Sequence, residues 1–442
     1  MEKLFKSVLA LSLILVMMFS LGACGGTKSG TGSQGGQTKA QEEQVTLTFW
    51  HSLAGSASGP VIDEFVKQYE KDHPNIKINQ DTTQPEDYKT RKLKVAITNN
   101  SEGDVFLSYG SGYSQPFIDA GAVLQLDSYF EADKTFDRLQ DGVLEYMTYG
   151  GKIYGVPITK WVGVLYCNTD YFERYGIEYP QTWDQFMTAI RTFREKGITP
   201  LTVGGKDGWH VAMYQNALAV RTAGAEYLNE ALAGKKTLNT TEVARSAQLL
   251  LDLVNAGAFD PGVLGLSSDE ANMEFDLGKI PMYYSGSWTA SEVEDPKNSV
   301  KGKIKVMPLP TVDGGKGDAT QFSGGATACY MVNSKTKHPN EAVAFAIALA
   351  EHQANEAYML GDDITCWKGN IDEVKINPVL LEINKLTEGA TGYVLAWDTF
   401  LVGAAIDEHY TLLQSLIGGR ITAEEFAQKM EDAKVKALAS EK

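Results

Sequence analysis

The chain has 442 residues and a formal net charge of −16, which excludes a nucleic-acid partner and an electrostatic grip on anionic lipid, since both need clustered Lys and Arg. Its length allows two domains with separate cores, and seven Trp and twenty Tyr supply many planar faces. The charge suits a neutral or cationic ligand, and the absence of any C-x-x-C and the wide scatter of six His exclude a locally spaced zinc site, so no metal and no cofactor are expected.

The chain opens with Lys3 and Lys6, an apolar run from Val8 to Phe19, and then Leu21-Gly22-Ala23-Cys24. A basic start, a short apolar core and small residues before a cleavage point describe a secretory signal, and the run is too short to span a bilayer as a mature helix. The cysteine directly after the small residues resembles the lipobox of bacterial lipoproteins. Residues 1–23 are therefore expected to be removed and Cys24 to be acylated, each buried methylene adding about 0.8 kcal/mol to the anchor. Loss of Glu2, Lys3 and Lys6 leaves the mature chain near −17. With Cys24 acylated, Cys167, Cys329 and Cys366 remain, an odd number, so at least one thiol is free. From Gly25 to Gln44 the chain is rich in Gly, Ser and Gln and nearly devoid of apolar residues. Residues 24–44 read as a flexible tether, reaching about 25 Å in r.m.s. terms.

Order is expected from Val45. Val45–Trp50 is apolar and β-branched, and Val61–Asp72 carries Ile62, Phe65, Val66 and Tyr69 at helical spacing before the stop His73-Pro74-Asn75. Ile76–Asn79 reads as a strand, Tyr88–Thr98 as a helix and Gly103–Leu107 as a short buried strand. This alternation predicts an α/β class with a largely parallel sheet. The rhythm restarts at Gly151–Pro157 and Val162–Asn168, with helices at Trp183–Lys196 and Val243–Asn255 and a strand at Ile280–Ser285. Lys303–Leu309 and Ala326–Val332 read as strands, and Asn340–Glu351 and Leu401–Leu416 as helices. Thr422 and Glu425 fit a capping box that opens the last helix.

The segments VTLTFWHS, EFVKQYEKDHPNIKI, GDVFLSYGSGYSQPFIDAGAVLQLD, GGKIYGVPITKWVGVLYCNTDYFERYGI, PQTWDQF, FDLGKIPMYYSGSW, IKVMPLP, GGATACYMVNSKTKHPNEAVAFAIALAE and GGRITAEEFAQKM follow one another behind the lipobox. In that order and spacing the chain resembles the family 1 extracellular solute-binding proteins, the receptors of carbohydrate ABC importers. The resemblance implies a periplasmic-binding-protein-like fold of two discontinuous α/β lobes joined by a hinge crossed several times, with the ligand in the cleft between them. Residues 45–158 and 311–358 would form lobe 1, and residues 159–310 and 359–442 lobe 2. The crossings would lie near Pro157–Trp161, near Met307–Pro310 and within Glu351–Gly361. It also implies a monomer at the outer face of the cell membrane, partnered by a carbohydrate and by permease subunits.

A sugar presents apolar C–H faces and hydroxyl edges, so its site needs aromatic planes together with carboxylates, amides and imidazoles. Trp288 follows a strand and stands where the family places a cleft-lining Trp. Trp397-Asp398 is expected in a loop before a late helix, and Trp209-His210 on the Gly-rich stretch Val203–Gly208, with little of its own segment to pack against. Trp161 lies at the hinge, where cleft floor and core are equally open. On the first lobe His51 and Ser52 end the opening strand, and Tyr109 and Ser111 follow the strand Asp104–Leu107, beyond carboxyl strand ends where open α/β sheets bind ligands. Trp50 and Trp183 read as structural.

A lipid-anchored glycoside hydrolase would also carry Trp and carboxylates, and glycosidase acids need not be near in sequence. No G-x-S-x-G or H-E-x-x-H occurs, and the resemblance favours binding without chemistry. A polyol, polyamine or peptide ligand on the same fold remains a further alternative.

Overall fold

The computed structural model describes residues 44–56, 58–140, 142–369, 376–401 and 404–440. The signal segment, Cys24 and the tether up to residue 43 lie outside the described residues. The rest forms two α/β lobes, each built on its own sheet.

The first sheet runs Ile76–Thr82, Val45–His51, Val105–Tyr109, Ala328–Val332 and Val156–Pro157. The first three strands are parallel, with Val45 opposite Ile76 and Phe49 opposite Val105, and Ala328–Val332 runs antiparallel to both its neighbours, Val105–Tyr109 and Val156–Pro157. Alternation places Val45, Leu47 and Phe49 in the lobe 1 core, where Ile62 and Val66 of the helix Ser58–Asp72 and Phe345 and Leu349 of Pro339–Leu360 meet them. Each such fully buried aliphatic side chain contributes about 1.5–3 kcal/mol.

The second sheet is centred on Thr159–Asn168, whose four partners all run antiparallel to it. Period-two alternation divides this strand between two cores: Trp161, Leu165 and Cys167 face the large helical one, while Val162, Val164 and Tyr166 face a smaller one under Pro378–Thr387. The expected parallel pairing therefore holds for the opening strands of lobe 1 and for one pair of the second sheet, Gln321–Ala326 with Gly392–Val394. The reason is the hinge. Val156–Pro157 continues directly into Thr159–Asn168, and Gln321–Ala326 directly into Ala328–Val332, in opposite directions. The pairs Tyr330–Val156, Cys329–Pro157, Ala326–Lys160 and Gly324–Val162 make one antiparallel ribbon that passes through both lobes.

The second crossing consequently falls at Thr327 and not at Met307–Pro310, and residues 321–326 run in the second sheet. A Gly-rich strand, QFSGGA, carries no apolar alternation to announce it. Glycine is needed there, because a Cβ on Gly324 would lie 2.2 Å from the Trp161 carbonyl. The third crossing lies at Gly361–Thr365, just beyond the Glu351–Gly361 window, where Ile364–Thr365 joins Thr159–Lys160. Asp363 is tied there by the Ser287 hydroxyl (2.5 Å) and the Thr159 hydroxyl (3.3 Å), and the Ser58 hydroxyl donates to Asp362.

Thr422 and Glu425 close a capping box on Ala423–Ser440, with N–H···O distances of 2.8 and 3.2 Å. Cys167, Cys329 and Cys366 are buried and unbridged, and burial pushes each thiol up. Among the described residues no helix is long and apolar enough to cross a membrane.

Candidate functional site

Three tryptophans of lobe 2 cluster together, Trp161 buried in the core and Trp209 and Trp288 packed against it. Trp288 follows the strand Met282–Gly286, and its ring lies flat on Gly286, where a Cβ would meet it at 2.1 Å. On either side stand Trp161, with ring centroids 5.5 Å apart, and Trp209 at 6.4 Å. Trp209 and Trp288 are half-buried. The structure thus brings together three residues expected from separate parts of the sequence.

Trp209 does not stand on a loop. It lies in the first turn of the helix Gly208–Ala223, which is buried on nearly every side. A helix without a polar face has no apolar stripe at helical spacing, which is why its sequence did not declare it. His210 supports Trp209 from below, with ring centroids 4.9 Å apart and planes within 14°. Both imidazole nitrogens are engaged inside lobe 2: Nδ1 accepts from the Gly204 N–H (3.0 Å), and Nε2 meets the Tyr283 hydroxyl (2.9 Å). Burial lowers its pKa to about 4, so it is a neutral prop and not the expected partner of a sugar hydroxyl.

His51 is also committed. It stacks on Phe49, Nδ1 accepts from the Leu53 N–H (3.2 Å), and Nε2 faces Gln80 Oε1 at 3.1 Å. Burial lowers its pKa too, outweighing Gln80 and nearby carboxylates. Ser52 is buried beside Tyr109, whose phenol is raised by desolvation. Ser111 takes a left-handed backbone (φ 60°), its carbonyl accepting from the Tyr149 hydroxyl at 2.8 Å. It lines a pocket between the lobes with Tyr146, Tyr149 and Phe400, and none of the three tryptophans borders that pocket.

Trp397 is fully buried in the lobe 2 core, within the short helix Trp397–Phe400. Its ring stacks on His409 (5.4 Å, 26°). The Trp397 Nε1 and both His409 nitrogens lack a hydrogen-bond partner among the described residues, and burial lowers the His409 pKa to about 4. No face of Trp397 is left for a ligand. The adjacent Asp398 suggested a site, but a covering ring, His409, comes from the helix Ala404–Ile417.

Asp398, next in the chain, does reach the cleft, but its oxygens hold a lobe 1 residue: Lys89 Nζ donates to Oδ2 at 3.0 Å, and the Tyr410 hydroxyl to the same oxygen at 2.6 Å. Burial works against the carboxylate, but Lys89 and Tyr410 overcome it and hold its pKa below the usual range. Lys89 also stands 5.0 Å from the Tyr109 ring centroid. Lys89 and Tyr410 were not expected from the sequence, since a lysine in a helix and a tyrosine in another carry no local mark of pairing.

With this geometry established, comparison with known proteins is direct. Residues 54–356 match the bacterial extracellular solute-binding proteins, and the chain belongs to that family. It is therefore a binding protein and not an enzyme. It is similar, at 40% identity and a TM-score of 0.85, to a structure from work on xylan utilization by the thermophilic bacterium Caldanaerobius polysaccharolyticus, covering 88% of this chain and 99% of that one. A chitin oligosaccharide binding protein shares 27% identity at a TM-score of 0.82, over 90% of this chain and 99% of the other. An ABC transporter extracellular-binding protein of Pyrococcus horikoshii is 26% identical over 371 residues, 82% of each chain.

Proposed function

We propose that this protein is the lipid-anchored receptor of an ABC importer and captures an oligosaccharide between its lobes, a xylan fragment being the first candidate. The observation that supports it is the cluster of Trp161, Trp288 and Trp209 rings, of which Trp288 and Trp209 are partly exposed. Successive pyranose rings offer apolar faces to such rings, and each ring covered contributes a few kcal/mol at about 25 cal/mol per Å². Likeness to a protein from work on xylan utilization and to a chitin oligosaccharide binding protein supports the same reading, since both polymers are linear chains of pyranoses. Likeness to an ABC transporter binding protein supports the importer. The anchor rests on Leu21-Gly22-Ala23-Cys24.

Isothermal titration with xylo-, chito- and malto-oligosaccharides tests the ligand, with binding in the micromolar range or tighter expected for at least one series. Heat with peptides or polyamines, and with no sugar, would refute it. Cys24→Ala should move the protein from the membrane fraction to the medium, and full retention in membranes would refute the anchor.

A further inference from the structure

Away from the hinge ribbon the lobes also meet at a seam, where lobe 2 offers the short stretch Trp397–Leu401. That stretch is fixed in two ways to the helix that carries Trp209. The Trp397 N–H donates to Asn216 Oδ1 at 2.9 Å. The Tyr410 hydroxyl that donates to Asp398 belongs to a ring lying on Gly208, where a Cβ would stand 2.4 Å from its Cγ. Lobe 1 meets the stretch with the turn Ser111–Tyr113. The Tyr113 hydroxyl donates to the Lys89 carbonyl at 2.7 Å, so the turn holds the lysine whose Nζ reaches Asp398. Here the two backbones touch: a Cβ on Gly112 would lie 2.3 Å from the Phe400 carbonyl oxygen and 2.5 Å from that of Leu401. The Tyr146 and Phe400 rings meet edge to face at 6.4 Å.

We infer that Trp397–Leu401 is the seat on which lobe 1 closes around the sugar, with Gly112 and Tyr410 as its positioning residues. This rests on the oligosaccharide reading above. Gly112 does not take a left-handed backbone, so no strain of its own calls for glycine; what excludes a side chain is the approach of the other lobe. Surfaces packed this closely cannot absorb a methyl group, and the lobes must part to admit one. Tyr410 acts through Asp398. That carboxylate is buried, and parting the lobes leaves it with the tyrosine donor but without its cation. Both anchors of the seat run to the helix of Trp209, so a sugar stacked on that ring bears on the element that lobe 1 must meet.

The test reads lobe separation and affinity together. Spin labels on Lys67→Cys of lobe 1 and Met273→Cys of lobe 2, both exposed, give the distance between the lobes of the whole protein by pulsed electron spin resonance. Cys167, Cys329 and Cys366 are buried and do not compete for the label. Titration calorimetry with xylo-oligosaccharides gives the affinity. Gly112→Ala is expected to lengthen the distance and to weaken binding at least about tenfold, because apparent affinity falls with the fraction of molecules able to close. Tyr410→Phe keeps the ring on Gly208 and loses only the hydroxyl, and should move both readouts the same way by a smaller amount. Unchanged distance and affinity in Gly112→Ala would overturn the inference, as would tighter binding, which would assign the contact to the open form. If Gly112→Ala lowers the urea midpoint, Tyr410→Phe decides, since it removes one oxygen and no packing; wild-type distance and affinity there would overturn the seat. Absence of sugar binding by the wild type is a separate result: it removes the oligosaccharide reading and leaves the distances to judge the seat.

Discussion

Lobe 2 holds two aromatic groups that look alike in sequence and differ in kind. Trp288 and Trp209 are half-exposed rings packed against the buried Trp161. Trp397 and His409 form a sealed stack with buried nitrogens lacking partners. The difference lies in what covers them. Trp288 lies on a glycine at the start of a short helix and stays half-buried. Trp397 is roofed by a helix that follows it closely in the chain. An aromatic beside a polar residue is thus no sign of a site until its cover is known.

The sharpest way to break this comparison is to truncate one ring from each group. Trp397→Ala should lose about 3–5 kcal/mol of stability, the cost of emptying a large core position, seen as a fall in the urea midpoint. Trp288→Ala should leave the midpoint nearly unchanged and weaken sugar binding by at least about tenfold. A stability loss for Trp288→Ala equal to that for Trp397→Ala, with wild-type affinity, would place Trp288 in the core and dismiss the cluster as a site.

The next effect is one of pH. His210 and His409 have folded pKa values of about 4 against 6.5, because burial favours their neutral forms. Their contribution to stability is present above pH 6.5 and lost as pH falls toward 4. Glu292 behaves in the opposite sense: burial, then Asp276 and Asp362, raise it to about 8 from 4.5. Its contribution is complete below 4.5 and lost as pH rises to about 8. The melting temperature should therefore peak at mildly acidic pH, and Glu292→Gln should flatten the alkaline limb alone. An unchanged alkaline limb in that variant would show that Glu292 ionises freely.

The smallest effect concerns the pair between the lobes. Lys89→Met removes the 3.0 Å contact with Asp398 that exists only while the lobes meet, and should weaken sugar binding several-fold by destabilising the closed form. In a double-mutant cycle with Asp398→Asn the two changes should be non-additive by about 0.5–3 kcal/mol. Additive losses would show that the pair does not couple to closure.

What was legible in the sequence were elements with one wet face. Val45–His51, Ser58–Asp72 and Thr241–Asn255 alternate between core and solvent, and their apolar periods are plain. The helix Gly208–Ala223 and the strand Gln321–Ala326 were not legible, the first because it is buried all round and the second because glycines replace its apolar residues. Trp161, Trp209 and Trp288 were named separately, Trp288 from the resemblance, and nothing local in the sequence shows that their rings meet. His51, His210 and Trp397 were misjudged because their partners, Gln80, Tyr283 and His409, come from elsewhere in the chain. Lys89 acquires meaning only from the opposite lobe, through Asp398.

The ribbon shared by both sheets has a mechanical consequence. Paired strands deform by distributing a small change of twist over several residue pairs, and strand twist has a fixed hand. A change of twist spread along the ribbon breaks no rung between Gly324–Val162 and Tyr330–Val156. A permease that touches only the outer flanks of the two lobes can read whether cargo is aboard from one angle, without ever meeting the sugar.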